Sequence, residues 1–161
     1  MDRPASPGVE WERAFSLEAF HILTKTLRRL VYRSDSCISH DDVAALDAIF
    51  RASIRNNARD AITGALALPD GRFVQCLEGT EPALTHVINR IRADPRHENL
   101  TILGEWPIQA RLFGGWAMAR PDPTPLGGQA FRIVTETGSG AQVTGILLDL
   151  FSKSDLLFAA Q

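Results

Sequence analysis

"AITGALALPDGRFVQCLEG", residues 61 to 79, sets an apolar run on either side of "PDG". An Asp-Gly dipeptide between two such runs signals a tight hairpin, because the favoured turn needs positive φ at its central positions. The stretch reads as strand, turn and antiparallel strand. Alternate strand side chains point to opposite faces, so Phe73, Gln75 and Leu77 share one face and Val74 and Cys76 the other. Gln75 then carries two amide donors and a carbonyl oxygen into an apolar layer, where each unsatisfied group costs about 1 to 3 kcal/mol. It needs partners.

Working outward, "LRRLVYRS" from Leu27 reads as a strand with Leu30 and Tyr32 on one face. Ser39 with Asp42 resembles a capping box, and Val43, Leu46, Ile49, Phe50 and Ile54 recur at helical spacing, giving an amphipathic helix over about 40 to 56. Beyond the hairpin, Thr80 caps a second helix of about 80 to 94 with Pro82 in its first turn and a stripe of Leu84, Val87, Ile88 and Ile91. The strands "NLTILGEWPI" and "GWAMA" follow. The order β-α-β-β-α-β-β predicts an α+β, ferredoxin-like βαββαββ sandwich, a five-stranded mixed sheet with two helices on one face. Both faces of the hairpin strands are apolar, so the other face needs cover too. Val143, Ile146, Leu147, Leu150 and Phe151 form a helical stripe suited to it, with "GGQAFRIVTE" as a shorter preceding helix. Residues 16 to 27 carry a weaker helical pattern, and residues 1 to 8 are expected to be mobile.

The chain has 161 residues, 45% hydrophobic and 22% charged, with a formal net charge of -2, the profile of one globular domain with appendages. No electrostatic attraction for nucleic acid or an anionic membrane is written into it. Sheet-based RNA binding needs exposed aromatics on the central strands, and these offer one Phe and a Gln. No run reaches the length of a membrane span, and "MDRPASPGVEWER" lacks the layout of a secretory signal. Cys37 and Cys76 fall in no metal or redox spacing, so a reducing cytoplasm is expected. The four histidines show no metal-ligand spacing, and no nucleophile elbow, Walker loop or dinucleotide fingerprint is present, so neither a metal site nor a catalytic residue is assigned.

A set of polar or aromatic residues at unusual places remains: Tyr32 on an apolar strand face, Asn56 and Asn57 ending the first helix, Gln75, Arg96 and His97 after the second helix, and Trp116 with Met118 on one face of the last strand. Each has an ordinary structural explanation: a half-buried core Tyr, helix C-cap asparagines, a solvated turn, core packing. Gln75 fits that explanation least. Tyr32 faces the same side from a neighbouring strand, and their hydrogen bond satisfies only part of the amide. The remaining donors and acceptors, with two Asn amides and an Arg, suggest a flat heteroaromatic ligand lying between the two helices.

In "LVYRS", "NNARDAITGAL", "GRFVQCLEG", "IRADPRHENL", "EWPI" and "GGWAM", in that order, the sequence resembles the BLUF domains, blue-light receptors that use FAD. The resemblance runs from Leu27 to Met118. It implies a flavin-binding domain over residues 27–120, an N-terminal extension over 1–26, and a linker and C-terminal helices over 121–161 covering the far face of the sheet. The cofactor is then FAD, with FMN or riboflavin as substitutes, its ring between the helices and Tyr32 and Gln75 beside its N5 and C4=O edge.

By the same resemblance Asn57 bonds the N3-H and C4=O edge, Arg96 reaches C2=O, and Asn56 and His97 flank the ring. Blue light makes the flavin an oxidant, Tyr32 donates an electron and then a proton, and Gln75 changes rotamer or tautomer before the pair recombines. The absorption shifts to the red. Trp116 and Met118 lie on the strand that carries the signal out, and which of them points inward in the dark is left open. Asn56 stands where some members have His, and Cys76 replaces a bulkier residue. With about 40 residues after Met118, the expectation is a stand-alone, non-enzymatic receptor whose output is a contact with a downstream protein or a rearranged homo-oligomer. The alternative is a dark-acting flavoprotein enzyme of the same fold.

Overall fold

The computed structural model describes residues 26–39, 41–120 and 128–158. The elements are β1 (Leu27–Ser36), α1 (Val43–Arg59), β2 (Thr63–Ala67), β3 (Arg72–Thr80), α2 (Glu81–Arg92), β4 (His97–Pro107), α3 (Gly128–Thr137) and α4 (Gly140–Phe158). The strands form one sheet in the order β2-β3-β1-β4, with every neighbouring pair antiparallel. This is the split arrangement expected, α+β with a crossover helix after β1 and another after β3. The hairpin turn has Asp70 at φ 47° and Gly71 at φ 74°, and the Arg72 amide donates to the Pro69 carbonyl at 2.9 Å. Two positive φ values match the twist of the flanking strands and fix their register.

α1 buries Leu46, Ile49 and Phe50, whereas Val43 and Ile54 from the same stripe stay exposed. Its cap is Asp42, whose Oδ1 accepts from the Ala45 amide at 2.9 Å. Ser39 contributes only its backbone carbonyl, to the Asp42 amide, in place of the capping box. The helix also runs to Arg59, one turn past the expected end, so Asn56 and Asn57 lie within its last turn. It stops at Ala61, which takes the left-handed conformation at φ 54°. α2 starts with Pro82 in its first turn, and Thr80 holds the cap position without a side-chain bond.

The sheet separates two cores. On one face Leu30, Tyr32, Phe73 and Leu77 meet Ile49 and Phe50 of α1 and Leu84 and Val87 of α2. On the other, Val31, Val74 and Cys76 meet Phe131 of α3 and Val143, Leu147 and Leu150 of α4. The tail thus covers the second apolar face, as the strand pattern demanded. α4 seats closely at its start, where a Cβ on Gly140 would meet the Trp106 ring at 2.9 Å and the Gly104 Cα at 3.1 Å.

The fifth strand is the main departure. Among the described residues the sheet has four strands, and the segment 115–119 touches β2 through one parallel bridge, Ala65 to Ala119. A turn from Phe113 to Trp116, closed by the Trp116 amide on the Phe113 carbonyl at 2.9 Å, uses up the start of the run. What remains is held by the Gly64 amide to Trp116 O at 3.2 Å, Ala119 N to Gly64 O at 2.8 Å and Leu66 N to Ala119 O at 2.9 Å. The helix expected at 16 to 27 lies outside the described residues save for its end, where Leu27 already opens β1, and residues 121–127 of the linker lie outside them too.

Gly64 is the tightest point of the hairpin, because a Cβ there would sit 2.1 Å from the Cys76 carbonyl oxygen. Gly64→Ala should therefore lower the unfolding free energy by about 1 to 3 kcal/mol, measured by urea denaturation. A variant as stable as the parent would contradict that packing.

Candidate functional site

The antiparallel register places Tyr32 directly opposite Gln75. The Tyr32 hydroxyl donates to Gln75 Oε1 at 2.5 Å, and Gln75 Nε2 reaches Met118 Sδ at 3.4 Å. All three side chains are buried, so phenol, amide and thioether form a chain of contacts across β1, β3 and the segment after β4. Thioether sulfur is a weak acceptor, so the amide is anchored firmly on the tyrosine side and loosely on the methionine side. Of the two orientations left open, Met118 is inward. Trp116 is 46% exposed and turns away, its ring edge-on to Phe151 of α4 at 5.2 Å between centroids.

Above this chain α1, α2 and the start of β4 border an open cleft. Tyr32, Gln75, Asn56, Asn57, Arg96 and His97 all line it, whereas Trp116 and Met118 are not among its lining residues. Its apolar walls come from Ile49, Leu66, Val87 and Ile91. The extra turn of α1 aims Asn57 inward, where it is buried and donates from Nδ2 to the Ala117 carbonyl at 3.0 Å. The amide thereby ties the end of α1 to the segment carrying Met118. Arg96 is folded back on Asp94, with Nε 2.8 Å from Oδ1. His97 stacks on Phe73 at 4.3 Å between centroids and shares a 2.8 Å hydrogen bond with the Ser34 hydroxyl through Nδ1.

Ser53, Arg90 and Asp94 also line the cleft and were not singled out from sequence. For Asp94 a signal existed, since "ADPRH" sets it two residues before Arg96, the spacing of a local ion pair. Ser53 and Arg90 carried none, because an exposed-looking polar residue on a helix reads as solvated surface.

Burial, reinforced by the charge of Asp94, pushes the Tyr32 phenol far above its ordinary range, so it is neutral and carries its proton at any working pH. The hydrogen bond from Arg96 holds the Asp94 carboxyl below the usual range, against the effect of its own burial. His97 is shifted down, chiefly by burial, with Asp94 opposing and Arg96 adding to the shift.

A buried phenol–amide pair under a polar-edged, apolar-walled cleft defines an α+β ligand-binding domain with a hydrogen-bond relay at its floor. The chain belongs to the BLUF family, sensors of blue-light using FAD, whose family description matches residues 27–119. Among solved structures, BlrB, a BLUF protein in its dark state, is 33% identical with a TM-score of 0.69, covering 81% of this chain and 98% of that one. A bacterial light-regulated adenylyl cyclase is 30% identical with a TM-score of 0.59 over 69% of this chain and 33% of its own. The photoactivated adenylate cyclase subunit beta of Euglena gracilis is 44% identical over 68 residues, 42% of this chain. The chain spans only 8% of the length of that relative. Among the described residues no helix is long and apolar enough to cross a membrane, and no group of His, Cys, Asp and Glu could hold a metal ion.

The lowered pKa of His97 has a definite consequence for stability. The unfolded imidazole takes up a proton near pH 6.5 and the folded one only at lower pH, so its contribution is present above about 6.5 and is lost as pH falls below it. The stability difference between the parent and His97→Phe should shrink as pH is lowered from about 7.5 through that value, followed by denaturation at each pH. A difference that grows on acidification would reverse the assigned sign.

Proposed function

We propose that the chain is a blue-light receptor in which Tyr32 is the donor of an electron and a proton, Gln75 is the hydrogen-bond switch, and the output is a protein contact. The Tyr32–Gln75–Met118 relay at the floor of the cleft carries this reading. The donor set suits a flavin: Gln75, Asn56 and Asn57 offer amides, Arg96 a guanidinium, and the apolar walls accept a flat ring. These residues with His97 would hold FAD, with FMN or riboflavin as substitutes, and the bound group supplies the blue-light absorption and the oxidising power.

Tyr32 enters neutral, with its proton aimed at Gln75 Oε1. It releases an electron and that proton and later recovers both, so the residues are chemically unchanged after a cycle. Only the orientation of Gln75 differs. An amide rotated by half a turn is nearly isosteric with itself, so the exchange of its O and NH₂ positions costs little packing. The rotation breaks the weak contact to Met118 and re-forms the bond to Tyr32 with donor and acceptor exchanged. Two states that differ only in hydrogen bonds can sit close in free energy, and a small input moves the population between them.

Met118 carries the change to residues 115–119, which contact the back core through Ala119 and α4 through Trp116. From there the signal passes by a contact of the last segment or the C-terminal helices with a partner protein, or by a rearranged homo-oligomer. The light-regulated cyclases among the relatives couple such a domain to a larger chain. We place the chain in the cytoplasm and read it as a sensor, with catalysis left to its partner.

Purified protein should be yellow, and blue light should shift its flavin bands reversibly to the red. Tyr32→Phe and Gln75→Leu should keep the flavin and lose the normal shift, measured by difference absorption spectroscopy. A normal shift in either variant would sink the assigned roles, and bleaching of the parent to reduced flavin would favour a dark-acting enzyme.

A further inference from the structure

Glu78 follows Gln75 by three residues on β3 and points to the opposite side of the sheet, where it is fully buried. Its carboxylate collects five hydrogen bonds. Oε1 accepts from Arg29 Nε at 2.9 Å, Arg29 Nη2 at 2.7 Å and the Leu112 amide at 2.9 Å. Oε2 accepts from Thr63 Oγ1 at 3.1 Å and the Phe113 amide at 3.0 Å. Arg29 and Thr63, both on the sheet, make an ordinary buried ion pair with a hydroxyl. The two amides do something else, because they belong to the loop that leads into Trp116 and Met118.

The loop is also anchored by Phe113, whose side chain is fully buried in the back core, edge-on to Phe151. Gly114 and Gly115 lie between the clamped amides and Trp116, and neither has a side chain to lock it; around Gly115 the space is open. Trp116 and Met118 are two residues apart, so a two-residue slide would carry Trp116 to the place of Met118. On the far side the segment is held by its backbone bonds to Gly64 and Leu66 of β2, by Asn57 on the Ala117 carbonyl, by the Gln75–Met118 contact and by the Trp116 ring against Phe151. On the near side Arg111 adds a bolt, with Nη1 on Thr63 Oγ1 at 2.9 Å and on the Glu78 carbonyl at 2.6 Å, and Nη2 on the Ala61 carbonyl at 2.8 Å. Glu78 and Arg111 therefore stop the slide where the two glycines would allow it.

We infer that Glu78 is a positioning residue: by holding the Leu112 and Phe113 amides it sets the register of residues 111–119, so that Met118 and not Trp116 stands beside Gln75. This rests on the reading of Gln75 as the switch. It extends that reading by naming, on the opposite face of the same strand, the group that chooses the switch's neighbour. Glu78→Gln keeps the shape, removes the charge and turns one acceptor into a donor, so one of the clamped amides loses its partner.

The test is iodide quenching of tryptophan emission from purified protein in the dark, using the component that Trp116→Phe removes in each background. Glu78→Gln should lower the quenchable fraction of that component about twofold, as Trp116 competes for the buried place of Met118. A folded Glu78→Gln whose Trp116 is quenched as in the parent, or more strongly, overturns the proposal. Should Glu78→Gln fail to fold, Arg111→Ala, at a half-buried site, is read by the same criterion. The red shift is recorded alongside: its absence in the parent would refute the switch reading of Gln75, while the tryptophan measurement would still decide the role of Glu78.

Discussion

The hydrogen bond between Tyr32 and Gln75 exists because β1 and β3 pair in one register and no other. A slip of β3 by one residue would turn Gln75 toward α4 while Tyr32 stayed on the cleft face, so the β1–β3 pairing fixes the floor of the cleft. A buried amide without partners is costly, and the phenol meets that need while keeping its own proton inside an apolar layer. Much of the rest follows from protecting this pair: two helices roof it, and the segment after β4 closes its side.

The same strand serves two layers. Phe73, Gln75 and Leu77 face the cleft, whereas Val74, Cys76 and Glu78 face the C-terminal helices and the loop after β4. A change at Gln75 is thus one peptide away from the back core. Met118 and Ala119 are the buried side chains of the segment between the cleft and the back core, which is otherwise held by a handful of backbone bonds. Such a segment can change partners at small free-energy cost, in contrast with the paired strands.

The hairpin, the two crossover helices and the covering tail were all legible, because each rests on a local pattern: an Asp-Gly turn, a helical stripe, two apolar strand faces. The relay partners Tyr32 and Gln75 were legible for the same reason, as polar groups on faces that periodicity marks as buried. Trp116 and Met118 could be found but not oriented. The fifth strand was overread, since "GWAMA" has strand composition while the turn from Phe113 to Trp116 consumes its first residues. Asp94 and the carboxylate of Glu78 were passed over, as charged residues read as surface until their partners are seen.

The sequence by itself determined the order of elements, the faces of each strand and the family, because these follow from spacing along the chain. Only the tertiary structure decided that Met118 is inward and Trp116 outward, that Asn57 holds the Ala117 carbonyl, and that Glu78 gathers Arg29, Thr63 and two loop amides. Those facts depend on contacts between residues far apart in the chain, and no local periodicity encodes which of two neighbouring side chains fills a shared space.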